Sequence, residues 1–256
     1  MDILTMTNLS FQNKIKYPNM SVPDGSITFL QGPSGCGKTT LFHLLNNTLT
    51  PSSGKILFRG ESILKLKPLE LRQQILLVSQ QAFLFEGTIQ DNFEKFYTYR
   101  GAPIPDTNTM NFYLALAIVP FDVEKDITYL SGGERQRVFN AIMLSFDASV
   151  YLWDEPSSAL DAKTAVAFFT NLRNYMKRYN KTSIVISHDE SLYPVFSDHT
   201  ITLQAPPGTK DNARPITKDT AIVDLDTNPA TNHPTSQATN HSIDSTTNRS
   251  TNYHEK

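Results

Sequence analysis

The amino-acid sequence predicts an α/β fold: a mostly parallel β-sheet covered by helices on both faces, with a helical block inserted into it. Three observations carry this. Short apolar runs alternate with helical patterns as far as residue 205, the order that builds parallel sheets. The glycine-rich run 32–39 follows one apolar run and opens a helical one. Residues 88–146 read as mainly helical and lie between two strands.

The elements follow in order. Residues 3–9 and 14–22 read as two strands ahead of the turn Pro23-Asp24-Gly25. Residues 26–30 form a short buried strand, and a helix runs from about 38 to 47. Residues 55–59 and 75–79 are further strands, and the helical block is broken by a loop at 100–106. A strand at 150–153, a helix at 162–179 and strands at 183–187 and 200–204 complete the pattern. Beyond 205 the composition shifts to Thr, Asn and Ser, with Thr-Asn recurring at 227, 231, 239, 247 and 251. Its one apolar cluster is Ala221-Ile222-Val223. Such a segment buries too little surface to offset its ordering entropy, so 206–256 is expected to be a disordered tail.

The chain has 256 residues, enough for one large α/β domain or two small ones. A net charge of -2 gives no bulk electrostatic grip on nucleic acid, and no nucleic-acid partner is expected. Cys36 is the sole cysteine, which excludes an intrachain disulfide. The N-terminus shows no basic stretch followed by an apolar run, so no signal peptide is expected. The longest apolar stretches, 113–121 and 148–153, fall short of the ~18 residues of a span. Any membrane span is expected from another chain.

Gly32-Pro33-Ser34-Gly35-Cys36-Gly37-Lys38-Thr39 fits G-x-x-x-x-G-K-[ST] at every position, with Thr40 following. Glycines let the backbone curl so that successive N–H groups cradle phosphate, and the helix N-terminus adds partial positive charge. Lys38 reaches the β- and γ-phosphates, and the Thr39 hydroxyl is placed for Mg²⁺. Cys36 occupies a variable position of the loop, where it is a small filler or a thiol activated by the helix N-terminus. The run Val150-Tyr151-Leu152-Trp153 ends in Asp154 and Glu155. A buried parallel strand delivers such carboxylates to the ligand crevice. Asp154 suits the metal, and Glu155 suits a general base for the attacking water.

Leu130-Ser131-Gly132-Gly133-Glu134-Arg135-Gln136-Arg137 resembles the signature motif of ATP-binding cassette (ABC) ATPases, with Glu134 where Gln is commoner. Val78-Ser79-Gln80 resembles the family's Q-loop. The run from Asp154 to Asp161 resembles Walker B running into the D-loop, and Ile186-Ser187-His188-Asp189 resembles the H-loop. The resemblance spans residues 2–205 and implies a P-loop NTPase (RecA-like) core, a small antiparallel β-subdomain and an inserted helical subdomain at about 82–147. It implies an ATPase that uses ATP and Mg²⁺. Gln80 joins Thr39 and Asp154 at the metal, and Gln80 and His188 join Glu155 in catalysis. Ser131, Gly132, Gly133 and Asp161 act on the nucleotide of a facing cassette. Phe11 is the expected adenine-stacking aromatic, with Tyr17 the other candidate.

The resemblance further implies a head-to-tail dimer, with itself or a related cassette, that sandwiches two ATP molecules. It implies a multi-span membrane permease seated beside Gln80, where residues 83–89 are apolar enough to help form a groove or are ordinary core. The expected location is the cytoplasm, held at the inner face of the cell membrane through that permease. Half-transporters, tandem-cassette translation factors and coiled-coil repair proteins do not fit a chain with one phosphate loop, no span and no heptad run. The segments 32–38, 66–68, 72–74 and 201–204 are similar to Fet-type iron-export ATPases, which implies metal export. A soluble ABC ATPase acting as an assembly factor is the alternative function.

Overall fold

A computed structural model describes residues 1–205. The tail expected at 206–256, with its Thr-Asn repeats and the Ala221-Ile222-Val223 cluster, lies outside the described residues.

The chain opens with strands β1 (Asp2–Phe11), β2 (Ile15–Lys16), β3 (Met20–Pro23) and β4 (Ile27–Gln31). Helix α1 (Lys38–Leu45) and strands β5 (Ser53–Phe58) and β6 (Glu61–Ser62) follow, then α2 (Pro68–Gln74) and β7 (Ile75–Val78). Three helices come next: α3 (Ile89–Arg100), α4 (Thr107–Leu116) and α5 (Gly132–Ser145). The chain returns through β8 (Val150–Asp154), α6 (Ala162–Arg178), β9 (Thr182–Ile186), α7 (Tyr193–Phe196) and β10 (His199–Thr202).

Two sheets result. β10, β4, β9, β8 and β7 form a parallel sheet in that order. β1 pairs antiparallel with β2, β3 and β5, and β5 with β6. The mixed α/β architecture matches the fold class read from the sequence. The strand expected over 14–22 is two strands, because Pro18 has no N–H to offer a ladder. Helix α2 starts on Pro68 at its first turn, where the missing N–H costs nothing.

The parallel sheet is buried on both faces. Every residue of β8 is buried, and alternate side chains enter different cores. Tyr151 and Trp153 pack among α5, α6 and β4. Val150 and Leu152 pack with α1 and the antiparallel sheet. Fully burying one such aliphatic side chain is worth roughly 1.5–3 kcal/mol. This explains why β8 reads as an unbroken apolar run and why its C-terminal end is held in fixed register.

Helix α3 begins at a capping box, with Thr88 and Asp91 satisfying each other's backbone N–H. Helix α5 begins in the same way, with Ser131 and Glu134. No helix among the described residues is long and apolar enough to cross a membrane.

Candidate nucleotide site

The parallel sheet sends four loops off the C-terminal ends of its strands. The glycine-rich loop follows β4, Gln80 follows β7, Glu155 follows β8 and His188 follows β9. In such sheets the ligand crevice lies outside those ends. There, a cavity of about 230 Å³ is lined by Ile15, Ser34, Gly35, Gly37, Lys38, Thr39, Thr40, Glu155, Ile186 and His188.

The loop takes its shape from positive φ angles at Gly32, Gly35 and Gly37, at 148°, 78° and 98°. At Gly32 a Cβ would come within 2.7 Å of both the Cys36 sulfur and the Leu203 carbonyl oxygen, so the position is closed to larger residues. Gly37 caps α1 in left-handed backbone. Lys38 folds back across the loop, and its Nζ donates to the carbonyl oxygens of Gly32 at 2.7 Å and Pro33 at 3.1 Å. That ammonium can exchange both carbonyls for phosphate oxygens without moving its backbone.

The Thr39 hydroxyl donates to Asp154 Oδ2 at 2.9 Å. Burial pushes the Asp154 carboxyl above its usual range, against the pull of Thr39 and of His43, Lys38 and His188. A hydroxyl beside one carboxylate is the sparse protein ligand set that Mg²⁺ uses when phosphate and water complete its shell.

Glu155 sits in left-handed backbone, φ 53°, an uncommon state for a non-glycine residue. Its N–H donates to Ile186 O at 3.0 Å, and its own carbonyl accepts from Ser158 N at 3.2 Å. Gln80 Nε2 donates to Glu155 Oε2 at 2.9 Å. His188 Nε2 lies 2.6 Å from Glu155 Oε1. Gln80, Glu155 and His188, far apart in sequence, therefore meet on one carboxylate.

The remaining sequence candidates divide into two groups. Cys36 is buried beneath the loop, and Gly32 and Pro33 face a neighbouring cavity with Lys38 and His188. Ser131, Gly132, Gly133 and Asp161 do not line the cavity that holds Lys38. Ser131 and the two glycines start α5, where the Gly133 Cα lies so near Ala159 that a Cβ would come within 2.6 Å of its carbonyl oxygen. Asp161 caps α6, accepting from Thr164 N and Oγ1.

Neither aromatic candidate lines the Lys38 cavity. Phe11 does not line the cavity; Ile15 does, directly opposite Phe11 in the β1–β2 ladder. Tyr17 is buried, with its hydroxyl on Gly37 O rather than toward open space. An aliphatic residue beside a phosphate loop carries no sequence signal of its own, so Ile15 escaped notice.

A family model described as ABC transporter matches residues 15–158. The chain is 33% identical over 196 residues to the probable iron export ATP-binding protein FetA of Escherichia coli, covering 77% of this chain and 87% of that one. It is 34% identical over 179 residues to the sn-glycerol-3-phosphate import ATP-binding protein UgpC 3 of Rhizobium johnstonii, covering 69% of this chain and about half, 51%, of that one. Among solved structures, cbiO1 from Clostridium perfringens, part of the ABC transporter complex cbiONQ, superposes with a TM-score of 0.70 at 26% identity, covering 79% and 84%. A bacterial Atm1-family ABC exporter with ATP bound gives a TM-score of 0.70 at 27% identity, covering 79% of this chain and 38% of that one.

Proposed function

The chain belongs to the ABC transporter family and is an ATPase of its ATP-binding subunit type, and from that premise we propose that it binds Mg²⁺–ATP at the Lys38 cavity, dimerises around it and drives a separate membrane permease. The observation that carries this is the convergence of Gln80, Glu155 and His188 beside Lys38 and Thr39.

The glycine loop and the N-terminus of α1 hold the phosphates through backbone N–H groups, and Lys38 neutralises their charge. Thr39 and Asp154 hold the Mg²⁺, which when bound neutralises charge developing on the phosphates. Glu155 takes the proton of the attacking water. Both of its oxygens are engaged, by Gln80 and His188. Each oxygen keeps a second acceptor site for the water's proton, and Gln80 and His188 are amide and imidazole groups able to turn to the γ-phosphate.

The signature turn supplies the second half of the active unit. Gly132 and Gly133 open α5 with backbone N–H groups that have no partner within the helix and can meet an anion, beside the Ser131 hydroxyl. Since they do not line their own chain's cavity, they serve the ATP of a facing copy or a related cassette, and Asp161 belongs to that same interface. Adenine rests on the ribbon face shared by Ile15 and Phe11. Residues 1–205 form the cassette, with residues 82–147 as its helical subdomain.

The permease docks beside Gln80, on the aromatic surface around Phe83, and holds the cassette at the inner face of the cell membrane. Iron export is the cargo reading supported by the FetA relative; the UgpC relative bears a different cargo in its name. A coupled ATPase assay tests the core of this. The purified chain with Mg²⁺ should hydrolyse ATP, and Lys38→Ala should abolish it. Undiminished activity in Lys38→Ala would remove the cavity from the reaction.

A further inference from the structure

We infer that Tyr17 is a positioning residue for the phosphate loop, aiming the Lys38 backbone N–H at the phosphates through a hydrogen bond to the Gly37 carbonyl; this rests on the nucleotide reading above.

Tyr17 lies between β2 and β3, where Pro18 interrupts the ladder and frees the chain to turn a side chain inward. Its backbone is anchored, Tyr17 N donating to Leu9 O at 2.9 Å. The ring is 6% exposed. Its hydroxyl donates to Gly37 O at 3.0 Å. A Cβ at Gly37 would come within 2.9 Å of that hydroxyl oxygen and 3.0 Å of Ile15 Cγ2. The antiparallel sheet therefore braces the loop from behind at a glycine that leaves no room between them.

The consequence follows from peptide geometry. In a trans peptide the C=O and the following N–H point in opposite directions. Fixing the Gly37 carbonyl therefore fixes the direction of the Lys38 N–H. That N–H is one of the first four of α1 and has no partner within the helix. Gly37 φ is 98°, backbone that only glycine adopts readily, so the direction of this peptide is set by two bonds to its carbonyl, from Tyr17 Oη and from Leu41 N. Burial, with Cys36 beside it, holds the Tyr17 phenol far above its ordinary range, so it stays a donor.

Removing the hydroxyl leaves no orphan. Gly37 O keeps the helical hydrogen bond from Leu41 N at 2.8 Å. Tyr17→Phe thus deletes one neutral hydrogen bond and little else.

The test is nucleotide affinity of the full chain by calorimetric titration with Mg²⁺–ATP and with ADP, alongside steady-state hydrolysis. In Tyr17→Phe, Kd for both nucleotides and KM for ATP should rise about threefold to tenfold, the worth of one net hydrogen bond. The kcat should hold, because the cradle grips the phosphates alike in ground and transition states. Tyr17→Met, which fills the space without a hydroxyl, should give the same rise. Unchanged Kd in either folded variant overturns the positioning role, even if the melting temperature falls. A wild-type chain that fails to bind ATP overturns the nucleotide reading and this inference together, so the two failures are distinguishable.

Discussion

His188 Nε2 and Glu155 Oε1 stand 2.6 Å apart, joining the end of β9 to the end of β8 across the mouth of the phosphate cavity. Gln80 holds the other oxygen of the same carboxylate. Both oxygens of the proposed base thus have a partner, and each keeps an acceptor site for water. Glu155→Gln keeps the size of the side chain and cannot accept the water's proton. Hydrolysis should fall by about 10²–10⁴-fold while ATP binding persists. Size-exclusion chromatography with ATP and Mg²⁺ should then show a dimer. Wild-type turnover in this variant would take Glu155 out of the chemistry.

Glu134 bears on the second half of the site. Ser131 N and Ser131 Oγ both donate to Glu134 Oε2, at 2.7 Å each. The Ser131 side-chain and backbone hydrogen bonds hold the Glu134 carboxyl below its usual range, so it is charged at neutral pH. That places a negative charge beside the turn proposed to meet a γ-phosphate. Glu134→Gln in the Glu155→Gln background should lower the ATP concentration for half-maximal dimerisation by roughly twofold to fivefold, the scale of one charge at a helix N-terminus. No change in that midpoint would argue that the turn does not meet phosphate.

The sequence showed where each loop leaves the sheet but not what the loops do to one another. β8 was legible because burial on both faces demands an uninterrupted apolar run, and the phosphate loop because its glycines need a fixed spacing. The β2–β3 break was missed: residues 14–22 read as one strand, although Pro18 bars a continuous ladder there. Helix α2 left a faint trace: Leu71 is its one buried residue, too little for a helical period. The contacts of Gln80 and His188 with Glu155 join the loops that follow three different strands, so no local pattern encodes them. Tyr17 is the sharpest case. Its residue type suggested base stacking, and the direction of its side chain, set by long-range packing, points it at the backbone of the loop.

Asp198 gives a pH-dependent stability prediction. It ties α6 to β4: Arg173 Nη2 is 3.0 Å from Oδ1, Lys177 Nζ is 2.6 Å from Oδ2, and Ile27 N donates to Oδ2 at 2.9 Å. Burial alone would push the carboxyl up; the Lys177 and Ile27 hydrogen bonds and the Lys177 and Arg173 charges outweigh it and hold it below the carboxylate range. A carboxyl depressed on folding contributes stability above its unfolded pKa of about 3.9, and loses it as pH falls through the lower folded value. Asp198→Asn should therefore cost about 1–3 kcal/mol at pH 7. Thermal melts should show a loss of about 2–12 °C there, narrowing below pH 4. An equal loss at pH 3 and pH 7 would refute the electrostatic origin.

The permease surface can be tested without damaging the cassette, because the aromatic cluster after Gln80 has an inner and an outer layer. Phe85 is its hub: it meets Phe83 and Phe96 edge-on at 4.9 and 5.4 Å and stacks on Tyr99 at 5.6 Å. Its backbone is locked to Asn92, which accepts from Phe85 N and donates to Phe85 O. Phe83 and Tyr99 form the outer layer, at 59% and 77% exposed. Aspartate at Phe85 would place a charge against three rings, so lost recruitment would be confounded with lost stability. Aspartate at Phe83 or Tyr99 faces water in the free cassette and should cost only about 0.5–1.5 kcal/mol, the worth of one ring contact with Phe85. If the permease docks on this surface, the same charge would be buried at an apolar contact, which is costly. Phe83→Asp and Tyr99→Asp should each reduce co-purification with a co-expressed permease about tenfold or more, with Kd for ATP at the separate phosphate loop unchanged. If both variants co-purify at the wild-type level, the permease attaches elsewhere; if the wild-type chain co-purifies with no multi-span protein, the transport reading itself fails.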